Sequence, residues 1–256
     1  MMEATFFHRV QRFQRFETSS GPVTVPILYP DVHSMWVYFS APIHKVRALL
    51  PTDRLKPISM GNGNALYGIV CFEYRDTTIG SYNEVGIGVP CRLDPSINIP
   101  ILPALFHRFF SVGFYVHHLP VTTQIAYDAG VEIWGLPKFV AQITFEETGT
   151  WRRCMLEADG QEILTLEVTY VLRNLQLETY DFQTFSVKDK HVLKIPVQSQ
   201  GHVWTSRKAE CARLHLGDHP LSEELRSLQL NTKPLKTIIY PNMQVILYPA
   251  SDRYAL

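Results

Sequence analysis

The 256-residue sequence has no excess of charge of either sign: 24 Lys and Arg stand against 24 Asp and Glu. Nucleic acid and anionic membranes are bound through basic surfaces, and nothing in this balance calls for either partner. A small neutral or weakly charged ligand stays open. Cysteine is scarce. Cys71, Cys91, Cys154 and Cys211 are widely scattered, with no C-x-x-C pair and no histidine at ligand spacing. No metal centre is therefore expected, and buried reduced thiols in a cytoplasmic setting are. Long apolar runs are also missing. The longest apolar region, Ile97 to Val116, is broken by Pro100, Pro103, His107 and Arg108 and does not suit a membrane span. The first residues show no secretory pattern; Phe6, Phe7, Arg9, Arg12, Phe13, Arg15 and Phe16 instead suggest an arm over residues 1–20 that packs on the body or on a neighbouring subunit. Repeats, low-complexity stretches and linkers are absent, so residues 1–256 read as one domain, and 46% hydrophobic content suffices for its core.

What is present is a succession of short strands with few helices. His33 to Ser40 is apolar on both faces, Met35, Val37 and Phe39 against Trp36 and Tyr38, which predicts a strand buried on both sides. Pro42 to Leu50 reads as a short helix with Pro42 at its first position. Leu66 to Tyr74, Tyr82 to Pro90, Phe110 to Leu119 and Phe139 to Phe145 read as strands. Thr122 to Ala129 suits a short helix capped by Thr122, with Gly130 as its left-handed exit. Asp159-Gly160 between two alternating runs predicts a hairpin. Ser222 to Leu228 suits a further helix, and Thr237 to Leu247 a strand pair interrupted at Pro241-Asn242. The fold class that follows is mainly antiparallel β with a few short helices.

One lysine is out of place. Lys138 lies among Ile133, Trp134, Leu136, Pro137, Phe139 and Val140, one of the more apolar stretches of the chain. Burial disfavours an ammonium and so increases the share of free amine. A free amine attacks a ketone to give an imine, whose protonated form accepts electrons when a neighbouring bond breaks. Gly135 and Pro137 bracket Leu136 and end one extended run just before Lys138 begins the next. Alternation then places Lys138, Val140 and Gln142 on one face and Phe139, Ala141 and Ile143 on the other. A lysine at a strand end also commonly extends to solvent, so composition and spacing leave both readings open.

The segments Leu119-Pro-Val-Thr-Thr123 and Ala129-Gly-Val-Glu-Ile-Trp-Gly-Leu-Pro-Lys138 resemble the acetoacetate decarboxylase family's region ending in Pro-Lys. Ser81-Tyr-Asn-Glu84 resembles its Tyr-x-Glu segment, and the similarity runs from about Val32 to the C-terminus. That resemblance implies an antiparallel, cone-like β-barrel, usually a homo-oligomer, with an imine-forming lysine inside and no cofactor. Lys138 matches the lysine and Glu84 a carboxylate of the same pocket, both catalytic; Tyr82, Trp134, Phe139 and Glu73 are the expected substrate-binding residues. The implied activity is decarboxylation of a small β-keto acid, with aldol condensation or dehydration of an oxo-acid, or ligand binding without catalysis, as alternatives.

The match departs from the family pattern at three places. Phe139 occupies the position of a second lysine, Ile69 that of a second pocket carboxylate, and Val32 that of a basic residue. Glu73, which shares the parity of Ile69, and His33 are the nearest substitutes. Glu132 is expected to be structural. The rings of His117 and His118, adjacent on a strand, should face opposite sides and not share a metal. Gly61-Asn-Gly-Asn64 reads as a turn, and no phosphate loop, Gly-x-Ser-x-Gly or H-E-x-x-H motif is present.

Overall fold

A computed structural model describes residues 4–94, 112–170 and 175–256 of the chain. Most of the apolar region Ile97 to Val116 lies outside these residues, as do Phe110 and Ser111, where the strand expected from Phe110 was to begin. Among the described residues, no helix is long and apolar enough to cross a membrane.

The architecture is mainly β and rests on a closed barrel. Its seven staves, in order around the barrel, are β6 (Tyr82–Leu93), β5 (Asn64–Asp76), β3 (Ile27–Pro42), β15 (Lys236–Leu247), β13 (His191–Ser206), β12 (Gln176–Lys188) and β7 (Gly113–Val121). Pairing of β7 with β6 closes the ring. The neighbours are antiparallel except β7 and β12, which run parallel. Closure removes the open edges that a single sheet would leave. A second sheet of four strands, in the order β14 (Ala212–Leu216), β11 (Gln161–Thr169), β10 (Trp151–Ala158) and β9 (Gln142–Thr148), covers one side of the barrel.

The two-sided strands explain themselves in this frame. On β3, Met35, Val37 and Phe39 point into a core between barrel and outer sheet, shared with Ile69, Cys71, Ile87, Leu156 and Leu166. Trp36 points into the barrel interior, with Val70, Tyr74, Tyr82 and Leu119. Each barrel strand on this side is thus buried on both faces, as the apolar runs require. The Asp159-Gly160 hairpin joins β10 and β11, both residues holding the positive φ of its tight turn (51° and 75°). All four cysteines are free thiols.

The helices differ in detail from expectation. α1 spans Ile43–Ala48, with Pro42 as its cap and not its first turn. α2 spans Gln124–Trp134 and so runs straight through Gly130; the left-handed exit is taken by Gly135, at φ 62°. Val131 to Trp134 is therefore helical and not extended. The helix continues because Trp134 is fully buried and Ile133 packs against the same apolar cluster, which outweighs the propensity cost of an interior glycine. α3 spans Pro220–Ser227. β15 is one continuous strand whose register shifts between Tyr240 and Met243, so Pro241-Asn242 is an irregularity and not a break. The N-terminal arm forms a hairpin, β1 (Gln14–Thr18) with β2 (Gly21–Val25), that docks on α2: Ser19 N–H donates to the Glu132 carboxylate at 3.2 Å and the Ser20 hydroxyl to Asp128. Glu132 thus has a structural partner.

Glu73 and His33 face the outer core, not the barrel interior. Barrel-facing residues of β5 have even numbers (Val70, Phe72, Tyr74), so Glu73 and Ile69 both point outward. Glu73 accepts from Arg152 at 2.5 Å; Arg152, nearly buried, also reaches Glu147 at 2.5 Å. His33 sits beside this network with neither ring nitrogen hydrogen-bonded. Burial first, then the charges of Arg152 and Arg75, lower its pKa to about 2. Its folded value lies below its unfolded one, so its contribution is intact above pH ~6.5 and is lost as pH falls, because only the unfolded chain takes up the proton. By about pH 5 that uptake costs ~2 kcal/mol for this one residue. His33→Leu is expected to flatten the fall in stability between pH ~7 and ~5 by that amount, read from urea unfolding at the two pH values; an unchanged slope would show that His33 carries no such penalty.

Candidate active site

Lys138 is placed by the end of α2. Gly135 N–H donates to Val131 O at 2.9 Å and Leu136 N–H to Gly130 O at 3.1 Å, closing the helix. A side chain at Gly135 would strike Val187 O at 2.5 Å, so the residue is required for close approach as well as for its positive φ. The turn is pinned from outside: the Ser186 hydroxyl donates to Trp134 O at 2.5 Å, and the Trp134 indole to Tyr248 O at 3.1 Å. The chain then enters β8 (Lys138–Val140), parallel to β7 with Lys138 opposite Leu119. Lys138 therefore begins its strand pointing into the barrel, while Phe139 faces the outer core.

The amine meets a carboxylate from β6, two strands away across β7. Lys138 Nζ lies 2.5 Å from Glu84 Oε2, and the two side chains are only 5% and 8% exposed. The Tyr74 hydroxyl donates to Glu84 Oε1 at 3.1 Å. Tyr82 presents its ring to the ammonium at 5.7 Å, and its hydroxyl lies 3.2 Å from that of Tyr29. Burial pushes the ionisation of all three tyrosines upward, with the Glu84 charge adding to it, so they stay protonated donors at neutral pH. A buried charge must be paired, and here the pair satisfies itself without solvent.

Around this pair lies a cavity of about 100 Å³ with a strongly apolar wall, including Trp36, Phe72, Phe114, Phe182 and Leu119. At the 10–15 Å³ that one water needs by this measure, it admits on the order of seven to ten water-sized groups, the size of a short-chain carbonyl compound. Lys138 is its only cation among the described residues.

Of the residues singled out in the sequence, the structure brings Lys138, Glu84 and Tyr82 together. It does not bring Trp134, Phe139 or Glu73 to the cavity. Trp134 packs beneath it, Phe139 lies on the opposite face of β8, and Glu73 and His33 point outward by strand parity. Besides Tyr29, whose hydroxyl meets that of Tyr82, two residues escaped the sequence reading. Tyr74 could have been found from parity, since it shares a face with Val70 and Phe72 on β5, beside Glu84. Gly130 is the other: a Cβ there would overlap Cδ and Cε of Lys138. A glycine inside a helix was the available signal, because it costs about 1 kcal/mol against alanine and needs a packing reason.

The profile of the acetoacetate decarboxylase family, described as "Acetoacetate decarboxylase (ADC)", matches residues 14–240. No curated protein matches the chain. Among solved structures, one described as acetoacetate decarboxylase is similar with a TM-score of 0.64, at 14% identity over 90% of this chain and 89% of the other. The acetoacetate decarboxylase of Legionella pneumophila subsp. pneumophila str. Philadelphia 1 gives 0.67, at 14% identity over 96% and 93%. The enduracididine biosynthesis enzyme MppR, complexed with the condensation product of pyruvate and imidazole 4-carboxaldehyde, gives 0.57, at 11% identity over 86% of each chain.

Gly130→Ala gains helix propensity but forces the lysine stem aside. Displacing a reacting atom by about 1 Å costs roughly a hundredfold in rate. Capture of Lys138 by a small ketone under borohydride is expected to slow by about that factor, with circular dichroism and Tm close to wild type. An unchanged rate would show that the helix does not position the amine.

Proposed function

The chain belongs to the acetoacetate decarboxylase family, and we propose that it decarboxylates a small β-keto acid through an imine at Lys138. The observation that carries this reading is the buried contact between the Lys138 amine and Glu84 inside a small apolar cavity. Glu84 accepts the ammonium proton, which frees the amine. The amine adds to the ketone carbon, and Glu84 gives the proton back to the departing hydroxyl, so that water leaves and the protonated imine remains. The bond to the carboxylate carbon then breaks, its electron pair moves into the imine to form an enamine, and carbon dioxide leaves. Glu84, having taken up one proton from solvent as the net reaction requires, delivers it to the enamine carbon, and water hydrolyses the resulting imine to release the ketone.

The apolar wall favours the bond-breaking step. A carboxylate among Trp36, Phe72 and Phe182 loses its hydration, whereas the transition state spreads that charge toward the cationic imine. The same wall excludes water from the enamine. The substrate is proposed to be short and otherwise apolar, because Lys138 is the one cation of the cavity among the described residues and it is consumed in the reaction.

A second reading keeps the imine and replaces carbon dioxide loss by condensation or dehydration. It is supported by likeness to a structure holding a condensation product. Acetoacetate and a panel of oxo-acids, each followed by borohydride reduction and peptide mass analysis, separate the two. Decarboxylation leaves Lys138 carrying the reduced alkyl group of the ketone product, with carbon dioxide released; condensation leaves a larger adduct and no carbon dioxide. No adduct at Lys138 with any member of the panel would falsify the imine itself. Lys138→Arg is expected to abolish capture. Glu84→Gln keeps the shape but loses the proton carrier, and should lower kcat by about 10²- to 10⁴-fold.

A further inference from the structure

Alternation along a strand predicts that the rings of His117 and His118 diverge. The barrel overrides it. Between β6 and β7 the register slips: Ile87 pairs with His118 and Gly88 with Val116, which leaves His117 as the extra residue of a bulge. Both rings therefore turn to the outside of the barrel, with centroids 4.2 Å apart. Val116 and Leu119, on either side of them, line the barrel cavity.

The two rings converge on one carboxylate of α3. Glu224 Oε1 lies 3.4 Å from His117 Nε2 and 3.2 Å from His118 Nε2. Bonds of ~2.0–2.1 Å at a tetrahedral angle would place neighbouring ligand atoms ~3.3–3.4 Å apart, the separation found here. The three side chains are 18%, 24% and 39% exposed, so an ion can enter from solvent while remaining partly shielded. A further feature comes from β5. The Tyr67 hydroxyl is fully buried, has no hydrogen-bond partner, and lies within electrostatic reach of Glu224. An orphaned donor beside three ligands is suited to bond a water in the fourth position.

We propose that His117, His118 and Glu224 form a binding site for one divalent transition-metal ion of the zinc type, which clamps α3 onto barrel strand β7. Two imidazoles and a carboxylate suit zinc, and the fourth position is left to water held by Tyr67. The clamp is structural. It stands on the outer face of β7, whose inner face supplies Leu119 opposite Lys138, so it steadies the wall of the cavity without touching the amine.

The test uses full-length, tag-free protein stripped with a chelator and titrated with zinc and with cobalt. Wild type is expected to bind one ion, to show the visible absorption of tetrahedral cobalt, and to gain roughly 5 °C in Tm at a hundredfold excess over Kd. Glu224→Gln and His118→Ala should each weaken binding by about a hundredfold or more and lose the cobalt spectrum. Glu224→Gln, on an outer helix, keeps the test decisive if the histidine variant does not fold. Absence of binding, or binding that both variants retain, overturns the proposal and leaves a plain histidine–glutamate contact.

Discussion

The structure depends on one costly act: holding an ammonium and a carboxylate out of water inside an apolar barrel. Neither Lys138 nor Glu84 could be buried alone, because an unpaired charge in such surroundings costs several kcal/mol. Together they satisfy each other, and Tyr74 fills the remaining carboxylate oxygen. The aromatic wall, the closed ring of strands and the pinned turn after α2 all follow from the need to bring these two groups to one point and keep solvent away. The proposed imine chemistry rests on the same arrangement, which sets a carboxylate 2.5 Å from the amine.

Support for the pair is distributed over the molecule. Ser186 on β12 and Tyr248 after β15 hold the turn that aims Lys138, and Gly130 leaves the groove in which its stem lies. The outer sheet covers the barrel on the side of β3 and β5, so those strands must be apolar in both directions. The polar network of Glu73, Arg152 and Glu147 belongs to this outer layer, where it joins β5 to the covering sheet. Two layers thus do separate work: the inner one holds the buried pair, the outer one locks the barrel.

Much of this was legible in the residues. Two-sided apolar runs announced strands buried on both faces, Asp159-Gly160 announced its hairpin, and an apolar setting singled out Lys138. Two of the failures, at Glu73 and at the paired histidines, share one cause. Parity states which residues share a face but not which face is inside, so Glu73 was a fair candidate until the barrel placed the odd-numbered residues of β5 outward. In the same way, strict alternation cannot foresee a bulge, and only pairing between β6 and β7 turns His117 and His118 to the same side.

The sequence by itself therefore determined the periodicities, the turns and the presence of a lysine that does not belong in an apolar segment, because each is a property of neighbouring residues. Tertiary structure decided what that lysine meets. Glu84 lies 54 positions away, and Tyr29 and Tyr74 come from two other strands. Their convergence is set by closure of the barrel and by strand register, which no local pattern encodes.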